Sequence, residues 1–167
     1  MKLRRLGAAD LAAFQAYRAD PEVGRWQGWS PKPDAEALAF LNEMAAVPLF
    51  RPGQWTQLGI ADEATDELLG DIGIHIRDDS REAEFGFTLA RAAQGRGIAT
   101  AAVRATIALV FEQTAVECIH AQTDERNAAC IRLLERLGAQ LLVRIATEFR
   151  GEPCVELRYE LARRSGA

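Results

Sequence analysis

The sequence predicts an α+β domain built on a mixed, mostly antiparallel sheet of six to seven strands with about four helices. Three observations carry that expectation. Between residues 54 and 90 the runs WTQLGIAD, ELLGDIGIHI and AEFGFTL have strand composition and are separated by acidic turns, which reads as an antiparallel meander. A glycine loop then opens onto a stretch whose apolar residues recur every three or four positions, the pattern of one helix face. At 167 residues the chain is one domain's worth, able to bury about two thirds of its unfolded surface without disulfides or metals, and residues 1 to 167 read as a single domain.

In order, residues 2 to 6 form a short first strand and residues 8 to 19 a helix with Leu11, Phe14 and Tyr17 on one face. Asp20-Pro21 ends it. GRWQGWSPKP, residues 24 to 33, is a turn-rich loop carrying Trp26 and Trp29; Asp34 then caps a second helix that runs to about residue 46 and buries Leu38 and Leu41. After the meander, residues 98 to 111 are a helix with inward positions at 99, 102, 103, 106, 107 and 110. Residues 117 to 122 make a short strand. Residues 128 to 137 make a helix with Ile131, Leu134 and Leu137 inward and Gly138 as its terminator. Strands at 141 to 146 and 154 to 161 follow, with Arg150-Gly151 as the hairpin turn between them.

Composition narrows the function classes. A chain that is 49% hydrophobic and 26% charged is an ordinary globular domain. Its net charge of −4 and pI of about 5.3 lack the basic excess of a nucleic-acid-binding surface, so no nucleic-acid partner is expected. No run approaches 18 apolar residues and the basic start is broken by Gly7 and Asp10, so neither a membrane span nor a signal peptide is expected. The cysteines Cys118, Cys130 and Cys154 are odd in number and contain no CxxC pair, and there are only two histidines. That pattern argues for a reducing cytoplasm and against a disulfide framework or a metal site.

The stretch AAQGRGIAT, residues 92 to 100, holds the chemistry. Strand, glycine loop and helix in that order put free backbone N–H groups and the positive end of a helix dipole at one point, which suits a phosphate or pyrophosphate. Arg91, Arg96 and Arg104 lie in a stretch with no acid from residue 85 to 111, a second pointer to phosphate. The dinucleotide fingerprint GxGxxG needs glycine or alanine at position 100, which is Thr100, and a Rossmann-type domain also predicts a parallel sheet. The P-loop needs GK[ST], which is absent. The remaining loop pattern is Gln or Arg, two residues, Gly, one residue, then Gly or Ala, which Gln94, Gly97 and Ala99 meet.

That pattern resembles the cofactor loop of the GNAT superfamily of N-acetyltransferases. The resemblance runs along nearly the whole chain: LRRLGAADLAAFQAYRADPEVGRWQGW, EFGFTL and TDERNAACIRLLERLGA resemble segments of the branch that acetylates N-terminal amines of ribosomal proteins. It implies acetyl-CoA as donor, a primary amine as acceptor (a peptide N-terminus or a small molecule), no metal, a possible homodimer, and fourth and fifth strands that splay to admit the pantetheine arm. By the same resemblance, Phe87 and Leu89 pair with that arm. Backbone N–H groups of the loop that begins at Gln94, from Gly95, Arg96, Gly97, Ile98, Ala99 and Thr100, hold the pyrophosphate. Asn127 matches the family asparagine that bonds the cofactor arm; a plain helix cap is its other reading.

The reaction needs a base to take the ammonium proton and an acid for the departing thiolate. Glu84 stands where the branch carries a strand-four glutamate; otherwise it is one of the charged residues of a solvated strand face. Cys130 stands where the branch has the serine assigned to protonate the thiolate, and a thiol is a weaker donor; otherwise it is a small buried helix residue. Ala101 and Ala139 depart from the branch pattern as well and weaken any assignment to one subfamily, and the departures at Cys130 and Ala101 favour the alternative of a CoA-binding or regulatory module without turnover. His75 and His120 are reserve bases on strands. Trp26 and Trp29 either line an acceptor groove or anchor their loop.

Overall fold

A single sheet of seven strands, in the order β1-β2-β3-β4-β5-β7-β6, runs through the computed structural model, which describes residues 1 to 163. Residues 164 to 167 of the expected domain lie outside the described residues. The strands are β1 (Lys2–Arg5), β2 (Trp55–Ala61), β3 (Leu68–Ile76), β4 (Glu82–Leu89), β5 (Cys118–Asp124), β6 (Gln140–Phe149) and β7 (Glu152–Ala162). The helices are α1 (Leu11–Arg18), α2 (Pro21–Gly24), α3 (Asp34–Ala46), α4 (Ile98–Gln113) and α5 (Ala128–Leu137). All neighbours are antiparallel except β4 and β5, which run parallel.

Alternation along the strands sends the helices to opposite faces. Ile72 and Ile74 join the core formed with Val103 and Val110 of α4 and Leu133 and Leu134 of α5. Their neighbour Asp71 points the other way, to Tyr17 and Arg18 of α1. A second cluster, with Leu6, Phe14, Tyr17, Leu41 and Met44, packs α1 and α3 on that side.

Most expected elements are present with small shifts at their ends. Asp20-Pro21 ends α1 and also begins an extra helix: proline occupies the first turn of α2, where no amide proton is required, and the Asp20 carboxylate accepts from Glu22 N at 3.0 Å. Asp34 does not cap α3. Pro33 stands at that position without a side-chain cap, and the Asp34 carboxylate instead accepts from Gln15 Nε2 at 2.8 Å. The buried stripe of α3 is Ala37, Leu41 and Met44, so Leu38 is only partly covered. In α5 the fully buried pair is Leu133 and Leu134, with Ile131 and Leu137 at the margins. Arg150 and Gly151 both take positive φ, 54° and 80°, the turn that suits a two-residue hairpin.

Candidate active site

β4 and β5 part company after three paired positions. Glu82, Ala83 and Glu84 face Cys118, Ile119 and His120, and beyond them β4 continues to Leu89 and β5 to Asp124 without pairing. The cause is that each strand is committed along its length to its own antiparallel partner, β4 to β3 and β5 to β7, and the twist of the sheet carries the two pairs apart. A cleft of about 1040 Å³ fills the gap. Phe85, Phe87 and Leu89 form one wall, Ala121 and Thr123 the other, and Asn127, Cys130 and Leu133 of α5 border it.

The glycine loop closes one end. A 3-10 turn at Arg91–Ala93 leaves β4, and Gln94 Nε2 donates back to the Leu89 carbonyl at 3.0 Å, fixing the loop to the strand end. Gly95 and Gly97 have φ of 74° and 76°. A Cβ at either would meet nothing within 4 Å, so the left-handed backbone and not crowding demands glycine there. Gly97 caps α4 without a side chain, and no acceptor among the described residues takes the N–H groups of residues 95 to 100. Those donors, at the positive end of a 16-residue helix, are what a pyrophosphate requires.

Arginines surround that end of the cleft, in a different set from the one the loop sequence indicated. Arg104 lines the cleft and forms no ion pair among the described residues. Arg91 is engaged with Asp20 at 2.6 Å. Arg96 is exposed and its side chain does not line the cleft. Arg132 and Arg136, four residues apart on α5, project to the same space. Sequence reasoning missed these two, although their helical spacing was visible.

Asn127 Oδ1 accepts from Cys130 N at 3.2 Å, so the asparagine does cap α5, and it also borders the cleft. Its amide NH2 remains for another partner. Burial pushes the Cys130 thiol up, with Thr123 working against that shift, so the group keeps its proton near neutral pH. Cys130 therefore has the state of a proton donor and not of a nucleophile.

Glu84 lies between Ala83 and Phe85, both in the core against α4, and therefore faces the opposite side of the sheet. It is half-buried and sits in the last paired position before the strands diverge, with His75 on one flank and His120 on the other. It does not line the cleft; it stands at the apex of the opening.

Trp26 lines the cleft, with the Arg25 guanidinium 4.7 Å and that of Arg126 5.6 Å from its ring centroid. Trp29 does not. Its ring lies under the Arg18 guanidinium at 4.1 Å, and its Nε1 donates to Thr88 Oγ1 at 3.3 Å, which makes it an anchor of the loop. Gln27 and Arg150, neither of them expected from sequence, complete that anchoring. Gln27 Nε2 donates to the Phe87 carbonyl at 2.9 Å, and Arg150 Nη2 donates to the carbonyls of Gln27 and Trp29, both at 2.9 Å. Beneath Trp29, the buried Asp71 accepts from the Tyr17 hydroxyl, from Arg18 Nη2 at 2.9 and 3.0 Å and from Gln57 Nε2 at 3.0 Å.

Comparison with known proteins agrees with this geometry. Residues 1 to 140 match the family described as acetyltransferase (GNAT) domain. The N-acetyltransferase p20 of Bacillus licheniformis is 29% identical over 141 residues, spanning 84% of this chain and 79% of that one. Among solved structures, spermidine N-acetyltransferase from Vibrio cholerae in complex with CoA and spermine superposes with a TM-score of 0.83 at 19% identity, covering 96% of this chain and 94% of that chain. A GNAT-family acetyltransferase from Bacillus anthracis gives 0.82 at 18% identity, covering 96% and 93%. The splayed strands and the glycine loop at the head of α4 thus find their explanation: the chain belongs to the GNAT acetyltransferase family and is an enzyme that transfers an acetyl group to an amine.

Proposed function

We propose that the enzyme takes acetyl from acetyl-CoA and passes it to a primary amine by direct attack in a ternary complex. The observation that carries this reading is the gap between β4 and β5, which ends at the unpaired N–H groups of residues 95 to 100. Those groups cradle the pyrophosphate, with Gln94 setting the loop and Ile98, Ala99 and Thr100 forming the first turn. Arg104, Arg132 and Arg136 meet the phosphates. Phe87 and Leu89 offer strand backbone to an extended amide-bearing arm. Their carbonyls already accept from Gln27 and Gln94, and each keeps a second lone pair. Asn127 adds its amide NH2.

Bound acetyl-CoA supplies a thioester carbonyl open to attack. Glu84, at the apex where the strands separate, takes the ammonium proton of the acceptor through water, and the protonated Cys130 thiol returns one to the departing sulfur. Trp26 lines the acceptor's approach and Trp29 backs it. The resemblance to the ribosomal-protein branch points to a peptide α-amine as acceptor, with small amines as further candidates. The cytoplasm is the compartment, supported by three unpaired cysteines. A homodimer is the assembly, supported by Leu141, Leu142 and Val143 exposed on the edge strand β6, and sedimentation velocity tests it.

Calorimetric titration with acetyl-CoA, alongside NADH and ATP, tests the donor. Selective micromolar binding of acetyl-CoA is expected, and equal or stronger binding of NADH or ATP overturns the reading. Release of CoA thiol over a panel of peptides and small amines then tests the acceptor, with saturable dependence on one class as the expected result.

A further inference from the structure

On the sheet face that carries Glu84, strand pairing assembles a second group of reactive side chains. The parallel register sets Glu82 beside Cys118, and His120 follows two residues along β5 on the same face. His120 Nε2 lies 3.4 Å from Glu82 Oε2 and 3.5 Å from Cys118 Sγ. One ligand atom from each of the three lies within 4.8 Å of the other two. β7 sets Glu160 opposite His120, near enough for its carboxylate to help raise the pKa of the Cys118 thiol.

Thiolate, imidazole and carboxylate are the donors zinc takes, at about 2.3 Å for sulfur and about 2.0 to 2.1 Å for nitrogen and oxygen. A tetrahedron with those bonds has an N···S edge of about 3.5 Å and an N···O edge of about 3.4 Å. Both edges are already present in the fold. We propose that Glu82, Cys118 and His120 form a Zn²⁺ site, completed by Glu160.

Its surroundings fit that role. His120 is 21% exposed and Glu82 36%, so the ligand atoms are partly desolvated yet reachable from solvent. Arg77, which pairs with Glu82 at 3.0 Å, is 61% exposed and free to swing away. Burial, then the carboxylates of Glu160 and Glu82, push the Cys118 thiol up to about 11, so the metal-free group is a thiol. Zinc binding breaks its S–H bond, forms a Zn–S bond and releases the proton to solvent. None of the four residues lines the acetyl-transfer cleft.

The full chain, treated with chelator and dialysed, is titrated with Zn²⁺ by calorimetry and with Co²⁺ by absorption spectroscopy. One Zn²⁺ per chain is expected at micromolar affinity or tighter, with a thiolate-to-cobalt charge-transfer band and tetrahedral d–d bands for Co²⁺. Cys118→Ser and His120→Gln, each checked for folding by circular dichroism, weaken Zn²⁺ binding by more than about tenfold, and the charge-transfer band disappears in Cys118→Ser. Cys154→Ser leaves both intact. Equal Zn²⁺ binding by wild type and Cys118→Ser, or a Co²⁺ spectrum without a thiolate band, overturns the proposal.

Discussion

The side-chain amide of Gln27 donates to the main-chain carbonyl of Phe87 over 2.9 Å, and this bond fastens the loop after α2 to a wall of the cleft. Because Arg150 holds the carbonyls of Gln27 and Trp29 from the far hairpin, the loop is tied at both sides. Gln27→Ala removes one tie, worth about 1 kcal/mol. Faster hydrogen exchange in residues 25 to 33 is expected, with the acceptor KM raised several-fold and acetyl-CoA affinity nearly unchanged. A KM for the acceptor equal to that of wild type would show that the loop does not border its path.

Gly97 takes φ of 76° at the head of α4. Gly97→Val forces a β-branched residue into the left-handed region and projects its side chain beside the unpaired N–H groups. Calorimetry should show acetyl-CoA affinity falling by more than about tenfold. Unchanged affinity would remove the loop from the cofactor site.

Arg132 and Arg136 line the cleft from α5. Alanine at either is expected to weaken acetyl-CoA by about three- to tenfold, in the range of one net hydrogen bond at a solvent-exposed position, with the double variant less sensitive to salt. Titrations at two salt concentrations check this. A double variant with the same salt slope as wild type would place the phosphates elsewhere.

Glu84 stands at the apex of the β4–β5 opening. Glu84→Gln should lower kcat with a good acceptor by about 10²-fold or more while acetyl-CoA affinity stays nearly intact. The loss should shrink as pH rises and more acceptor is already neutral. Wild-type turnover from pH 6 to 9 would exclude Glu84 as the base.

Asp71 and Arg18 form an ion pair with side chains only 2% and 8% exposed. Asp71→Asn leaves the guanidinium buried without its counter-charge, at a cost of about 3 to 5 kcal/mol, and thermal melting should move down by about 6 to 20 °C. Replacing both members by apolar residues should recover part of that loss. A melt of Asp71→Asn within 2 °C of wild type would contradict the assignment. The Tyr17 phenol, raised well above its ordinary value near 10 by burial first and by Asp71 next, keeps its proton where the unfolded phenol ionises. A raised folded pKa contributes stability that is full below the unfolded value and is lost above it. Stability should therefore fall as pH rises past about 10, and less steeply in Tyr17→Phe.

The sequence by itself determined the elements that depend on near neighbours. Helix α5 begins and ends where the Asn127 cap and Gly138 predict, and the Arg150-Gly151 turn is where the hairpin pattern puts it, because caps, positive φ and three-to-four spacing are settled within a few residues. The glycine loop at the head of α4 was legible for the same reason: the positive φ of Gly95 and Gly97 is a backbone requirement written locally. Tertiary structure alone decided which side chains meet. Asp34 turned to Gln15 and left its helix uncapped, and Gln27 found Phe87 sixty residues away. Trp26 and Trp29, three residues apart, parted between cleft and anchor. Glu82, Cys118, His120 and Glu160 have no motif spacing at all. They converge because parallel pairing of β4 with β5 and antiparallel pairing of β5 with β7 set their registers, and register depends on how whole strands bury their apolar faces.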